Sequence, residues 1–194
     1  MKQTHVTIEQ LTVKGLTISV YLTQGLLLLL AGILSLLFFE QWSDWLTLFS
    51  WQPFSILIIG SFVAFIVVFL NIVAMKVFSE EAFNDGGLNK KLFKGLSIPH
   101  ILFLSMVIAF CEEVFFRGVI QSSFGLVVAS IVFAGLHFRY ISKPVLFIGV
   151  IVLSFLIGII FEWTGNLFVT IMIHFLIDAM LGLLIRLQLV EGGA

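Results

Sequence analysis

Long apolar runs separated by short polar connections dominate the chain. Crossing a bilayer core takes roughly 20 apolar residues of helix. At that length the pattern predicts an all-α, polytopic membrane helix bundle of about six transmembrane helices, forming a single domain. Ser97 and Pro99 support a helix start, since serine caps N-termini and proline is tolerated in the first turn. The predicted spans cover residues 16–39, 54–76, 98–121, 125–138, 144–161 and 166–187.

The composition agrees with a membrane protein. Hydrophobic residues make up 60% of the 194 positions and charged residues only 11%, whereas ordinary globular chains carry roughly a quarter charged residues. The net charge of −1 provides no basic surface for nucleic acid. A single cysteine, Cys111, cannot form an intramolecular disulfide or a cysteine-only metal site. We therefore expect the lipid bilayer as a partner and no nucleic acid.

Lysine and arginine collect on one side of the predicted spans. The outer connections 40–53, 122–124 and 162–165 contain none of the 10 basic residues. Arg117 alone lies within a span. By the positive-inside rule, this distribution predicts a multi-pass cell-membrane protein with both termini in the cytoplasm. The predicted inner residues are Lys2, Lys14, Lys76, Lys90, Lys91, Lys94, Arg139, Lys143 and Arg186.

The longest polar connection, residues 77–97, divides the chain into two parts. Residues 1–97 comprise two N-terminal spans and this cytoplasmic loop, and residues 98–187 contain the remaining spans. Within the loop, the sequence NDGG predicts a turn. The following LNKKLFKGL, residues 88–96, fits a solvated linker, which we favour, or a short basic amphipathic segment on the inner leaflet.

Ionisable residues inside the predicted spans are candidates for a functional site, because each costs on the order of 3 kcal/mol at the bilayer centre. Any one of them is explained about as well by packing, but six at similar depth favour function. Two pairs are spaced i, i+4 and therefore share a helix face. The set is Glu112, Glu113, Arg117, His137, His174 and Asp178.

The spacing assigns different surroundings to the two adjacent carboxylates. Glu113 is within ion-pair reach of Arg117, whereas Glu112 points about 100° away around the helix and is free for chemistry. Asp178 can orient His174 or share a proton with it.

Depth along the helices brings these residues to one layer. The third and fourth helices turn near Ser123, which places Glu112 and His137 within about 5 Å in depth. We therefore predict a buried polar site between helices three, four and six. Gln24 and Asn71, also inside spans, are explained by helix–helix hydrogen bonds.

Three short motifs carry a family resemblance. EEVFFR fits EExxxR, FAGLH fits FxxxH and HFLID fits HxxxN/D. Their order and spacing resemble the CPBP family (CAAX protease and bacteriocin-processing, also called Abi) of intramembrane proteases. The resemblance covers about residues 98–187, which would be the catalytic core. It implies a bacterial intramembrane endopeptidase acting on a membrane-associated, prenylated or peptide substrate. The alternative is a bacteriocin self-immunity or membrane interaction protein that retains the fold.

The resemblance also implies roles for the candidate residues. Glu112 would be the general base, assisted by His137. Glu113 and Arg117 would form a supporting pair. The remaining pair would polarise the scissile carbonyl and stabilise the oxyanion, and it consists of His174 and Asp178.

Two questions stay open at this level. Asp178 occupies a position where the family pattern also allows asparagine, and an ionised aspartate cannot donate a hydrogen bond. Either it is protonated or, as we favour, it orients His174 as the donor. A zinc ion held by Glu112, His137 and His174, with water in fourth place, is as plausible as a metal-free glutamate mechanism.

Overall fold

The computed structural model describes residues 10–190 and is helical throughout its regular elements. Five of its segments are long and apolar enough to cross a membrane, which confirms the predicted polytopic bundle. Short 3₁₀ turns occupy Glu80–Phe83 and Phe138–Tyr140, and a π-helical segment occupies Val114–Gln121. The α-helices are α1 (Val13–Phe38), α2 (Ser43–Leu48), α3 (Pro53–Val77), α4 (Leu88–Gly95), α5 (Ile98–Glu113), α6 (Ser122–Leu136), α7 (Pro144–Thr164) and α8 (Leu167–Arg186).

The predicted third and fourth spans form one run, Ile98–Leu136, that folds back at a glycine. Gly125 has φ 83° and ψ 170°, a conformation that is essentially restricted to glycine. Phe116 and Phe133 lie on opposite sides of this turn, and their rings meet edge to face with centroids 4.8 Å apart. The two arms therefore lie side by side, so five runs and six predicted helices describe the same course of the chain.

Polar contacts group the connections at two ends of the bundle. At one end, Arg139 Nη2 lies 3.0 Å from Asp85 Oδ2 and joins the α3–α4 and α6–α7 connections. At the other end, Asn166 Nδ2 donates to the carbonyl of Ser50 at 2.7 Å. This grouping is the one that the predicted topology requires. We call the end that carries Arg139 the basic end. Its placement in the cytoplasm stays a prediction.

The polar connection between α3 and α5 contains a helix. Leu92 and Leu96 of the α4 region are buried against residues of α1 and α8. The favoured interpretation of this segment as a solvated linker is therefore wrong, because two leucines spaced i, i+4 give a helix an apolar face to bury. Ser97 then stands at the N-cap of α5 without a side-chain capping bond, and Pro99 lies in the first turn.

Helix α8 lies at the centre of the bundle, packed against α3, α4, α5 and α7. Ala64 and Val68 of α3 belong to one buried cluster with Ile173 and Ile177 of α8. The packing of Ile173 and Ile177 against α3 fixes the rotation of α8 and directs the neighbouring His174 away from α3. The polar site therefore forms on the other side of α8, toward α5.

Candidate functional site

A buried set of charged groups joins α5, the π-helical segment and α8. Glu113 and Arg117 are both 0% exposed. Arg117 Nε lies 3.5 Å from Glu113 Oε2, and His174 Nδ1 donates to Glu113 Oε1 at 2.9 Å. The structure thus forms the i, i+4 pair and adds a bond from α8. Pairing of this kind is what allows charges to remain in a low-dielectric interior. We call Glu113, Arg117 and His174 the buried cluster.

The π-helical segment directs the arginine toward α7. Arg117 Nη2 donates to the carbonyl oxygen of Ser154 at 3.1 Å and to its hydroxyl at 3.3 Å. The guanidinium carbon lies 5.6 Å from the ring centroid of Phe133 on α6. Widened π-helical turns recur at functional sites in proteins. Here the widened turn leaves the guanidinium held between three different elements.

Asp178 stands at the edge of the buried cluster. Its Oδ2 lies 3.6 Å from His174 Nε2, which is beyond a hydrogen bond. Each nitrogen of the His174 ring therefore faces a carboxylate. The Asp178 side chain is 28% exposed and that of His174 only 6%. Asp178 thus marks the side on which the cluster is accessible.

Glu112 has different surroundings from its neighbour Glu113. It is half-buried, and its Oε1 accepts a hydrogen bond from Gln24 Nε2 of α1 at 3.1 Å. Within residues 10–190, no hydrogen bond or ion pair joins Glu112 to His174 or to Asp178. Among the described residues, one carboxylate is thus held by an arginine and a histidine, and the other is held by a neutral amide.

His137 ends α6 and is also half-buried. Its Nδ1 lies 2.8 Å from the carbonyl oxygen of Phe133. A carbonyl oxygen only accepts, so Nδ1 carries the proton and a neutral ring keeps Nε2 as an acceptor. The ring also stacks on Phe133 and Tyr140, with centroid distances of 4.5 and 6.1 Å. The structure fixes the orientation of His137, and its partnership with Glu112 stays a prediction.

Two residues that the sequence did not assign to the site contact it directly. Gln24 was predicted to form a helix–helix hydrogen bond, which is confirmed, but its partner Glu112 was not foreseen. Ser154 lies in an apolar helix and carried no motif. The sequence feature that could have identified them is an amide and a hydroxyl side chain within otherwise apolar spans. Periodicity identifies a helix face but does not identify the helix that it meets.

The geometry bears on the zinc ligands that the sequence suggests. Among the described residues, no three His, Cys, Asp or Glu side chains form a group that could hold a metal ion. Glu112, His137 and His174 form no such group, and His174 Nδ1 is already bonded to Glu113. The donor set therefore does not fit a zinc site in this arrangement, and the reaction proposed below uses only the side chains of the chain.

Fold and site define a polytopic helical membrane protein with an ion-pair cluster buried between its spans. The family profile described as type II CAAX prenyl endopeptidase Rce1-like matches residues 94–180. A Bacillus subtilis (strain 168) protein named uncharacterized protein YpbD is 47% identical over 167 residues, covering 86% of this chain and 88% of that relative. No solved structure matches the chain. The chain belongs to the Rce1-like type II CAAX prenyl endopeptidase family, which confirms the resemblance drawn from the motifs.

Proposed function

We propose that the protein is an intramembrane endopeptidase in which Glu112 is the general base. The observation that carries this proposal is the difference in surroundings between two adjacent carboxylates, Glu113 and Glu112. Glu113 is fully buried and bound by Arg117 and His174, whereas Glu112 is half-buried and receives one hydrogen bond from a neutral amide. A carboxylate already paired with an arginine and bonded by a histidine N–H is a poor proton acceptor, so Glu112 is the better base.

The proposed reaction is hydrolysis of a peptide bond by water. Glu112 removes one proton from the water, and the resulting hydroxide oxygen bonds to the scissile carbonyl carbon. The proton on Glu112 then passes to the amide nitrogen as the carbon–nitrogen bond breaks. The products are a carboxylic acid and an amine, and Glu112 is regenerated. His137, with Nε2 available when the ring is neutral, is the proposed assistant for the water.

The oxyanion of this reaction needs a donor, and we assign that role to His174. Its Nδ1 is committed to Glu113, so Nε2 is the atom available to a substrate oxygen. Asp178, at 3.6 Å from Nε2, orients the ring and favours a proton on that nitrogen. A preorganised donor of this kind contributes several kcal/mol to acyl-transfer transition states.

We further propose that the substrate approaches from the cytoplasmic side. The half-buried His137 ends α6 immediately before Arg139 and Lys143, at the end of the bundle that collects basic residues. The substrate class that fits is a membrane-associated peptide or protein, prenylated or otherwise apolar, because the site lies between helices that face lipid.

The test compares peptides from cells that express the wild-type protein or the Glu112→Gln variant. A peptide end found only with the wild type identifies the scissile bond. A quenched fluorescent peptide spanning that bond, called the reporter peptide below, then gives kcat and KM for the protein reconstituted in vesicles. We expect Glu112→Gln to lower kcat about 100- to 10,000-fold.

The matched control is Glu162→Gln, an exposed carboxamide substitution on α7 near the other end of the bundle. It should leave kcat unchanged. Wild-type activity in a folded Glu112→Gln protein would remove Glu112 as the base, and identical peptide pools in all three strains would contradict peptide hydrolysis itself.

A further inference from the structure

We infer that Gln24 of α1 is a positioning residue for Glu112, with an amide oxygen available to the reacting groups. This inference rests on the proposed function, because it gives the site a member outside the three motifs. Residues 94–180 match the family profile, and Gln24 lies well before them. The α1 helix would therefore contribute directly to the active site.

The contact itself is specific. Gln24 Nε2 donates to Glu112 Oε1 at 3.1 Å, and Gln24 is only 4% exposed. A carboxylate can only accept when ionised, so the amide must present its nitrogen to Glu112. The bond fixes one carboxylate oxygen and leaves the other free to receive a proton from water. A glutamate side chain otherwise has several rotatable bonds to immobilise.

Gln24 Oε1 is buried and has no hydrogen-bond partner among the described residues. A buried carbonyl oxygen without a partner costs free energy, and each such atom in a native fold calls for an explanation. Its position beside Glu112 supplies one. The amide oxygen can accept the second O–H of the water that Glu112 activates, or an N–H of the bound peptide.

The surroundings hold the amide in place. The buried face of α1 is formed by Thr17, Gln24, Leu27, Ala31 and Ser35, and it packs on α5 and the π-helical segment. The hydroxyls of Thr17 and Ser35 bond to carbonyls of α1 itself. Gln24 is thus the member of this face whose side chain reaches across to the site. The small displacements that loss of such a bond permits can cost up to about 100-fold in rate.

The test is Gln24→Met, measured with the reporter peptide in reconstituted vesicles. Methionine has a similar length and no strong donor or acceptor, so packing is retained while both polar functions are lost. We expect kcat to fall about 10- to 100-fold with KM within about twofold of the wild type, and an unchanged melting temperature. The matched control, Thr17→Val, alters a buried polar residue on the same face and should leave kcat and KM unchanged.

A second variant guards against a packing effect. Gln24→Glu keeps the shape but, at mildly alkaline pH, replaces the donor with a charge that repels Glu112. Its kcat should fall at least as far as that of Gln24→Met. Wild-type kcat in both variants, with Glu112→Gln inactive, would overturn this inference alone. A parallel loss of kcat and melting temperature would also overturn it, because it would indicate a purely structural role. Failure of the wild type to cleave any reporter peptide would instead overturn the proposed function.

Discussion

Two sets of ion pairs in this molecule use the same chemistry in opposite settings. The buried cluster has side chains that are 0 to 6% exposed. The end pairs, Arg139–Asp85 and Lys143–Glu81, join two connections at one end of the bundle. Their side chains are 41% and 6% exposed in the first pair, and 28% and 73% exposed in the second. Exposed pairs typically contribute 0 to about 1 kcal/mol, whereas breaking a buried pair costs about 3 to 5 kcal/mol.

The difference between the two sets shows where the chain accepts a loss of folding stability. An end pair gains a little by forming and loses little by breaking, so it fastens two loops reversibly. The buried cluster has lost the hydration of its charges, which well-packed apolar side chains would have avoided. Its retention in the interior is therefore better explained by chemistry at the site than by stability. Three substitutions separate the two settings.

The largest effect is expected from Arg117→Met. The change leaves Glu113 buried with a carboxylate that has lost its guanidinium partner. We expect the free energy of unfolding to fall by about 3 to 5 kcal/mol, because a buried carboxylate loses its guanidinium partner and keeps only the bond from His174. Unfolding in mixed micelles titrated with a denaturing detergent would measure it.

The matched control for that variant removes both charges. Combining Glu113→Leu with Arg117→Met removes the buried carboxylate that has lost its guanidinium partner, and should recover more than half of the lost stability. If the double variant is less stable than Arg117→Met alone, the pair is a source of stability and the contrast between the two settings is wrong.

Most of the fold could be predicted from the sequence, for a physical reason. Apolar runs long enough to cross a bilayer must be helical, because lipid cannot satisfy exposed backbone groups. Helix α4, which the sequence misjudged as a linker, is short and basic, and its burial depends on contacts of Leu92 and Leu96 with distant helices. The short helix α2, inside the predicted connection 40–53, was not predicted either. Gly125 marks the turn, since its positive φ suits glycine, but no local signal separated it from Ser123 nearby.

The candidate site was less predictable than the fold. Spacing within a helix indicated the Glu113–Arg117 pair, and the structure confirms it. The bond from His174 to Glu113 rather than to Glu112 depends on how α5 and α8 rotate against each other, which periodicity leaves open. For the same reason, the contact of Arg117 with Ser154 could not be predicted, because the Ser154 hydroxyl is one buried polar atom in a helix of apolar residues.

An intermediate effect is expected from Ser154→Ala. The variant removes the hydroxyl that Arg117 Nη2 reaches at 3.3 Å and leaves the carbonyl bond at 3.1 Å in place. Hydrogen bonds between membrane helices contribute about 0.6 kcal/mol on average and about 1.7 kcal/mol at most. We expect a loss within that range. Ser130→Ala is the control, because the Ser130 hydroxyl is buried without a partner among the described residues and its removal should be neutral or stabilising. Equal losses in both variants would contradict a specific bond to Arg117.

The smallest effect is expected at the end pair of Lys143 and Glu81, and it should depend on pH. The hydrogen bond and charge of Lys143 hold the pKa of Glu81 below its ordinary value of 4.5. A carboxylate whose pKa is lowered on folding stabilises the fold above its unfolded pKa, and that contribution is lost as the pH falls through the lower, folded value. Glu81→Gln should therefore lower the melting temperature slightly at neutral pH. The difference from the wild type should disappear in acid below pH 4.5, and also in high salt, which screens exposed charges. Glu162→Gln, at the opposite end, should show neither dependence. A difference in melting temperature at Glu81 that persists in acid and in salt would indicate packing rather than charge. The end pair would then resemble the buried cluster, and the contrast between exposed and buried pairs would be wrong.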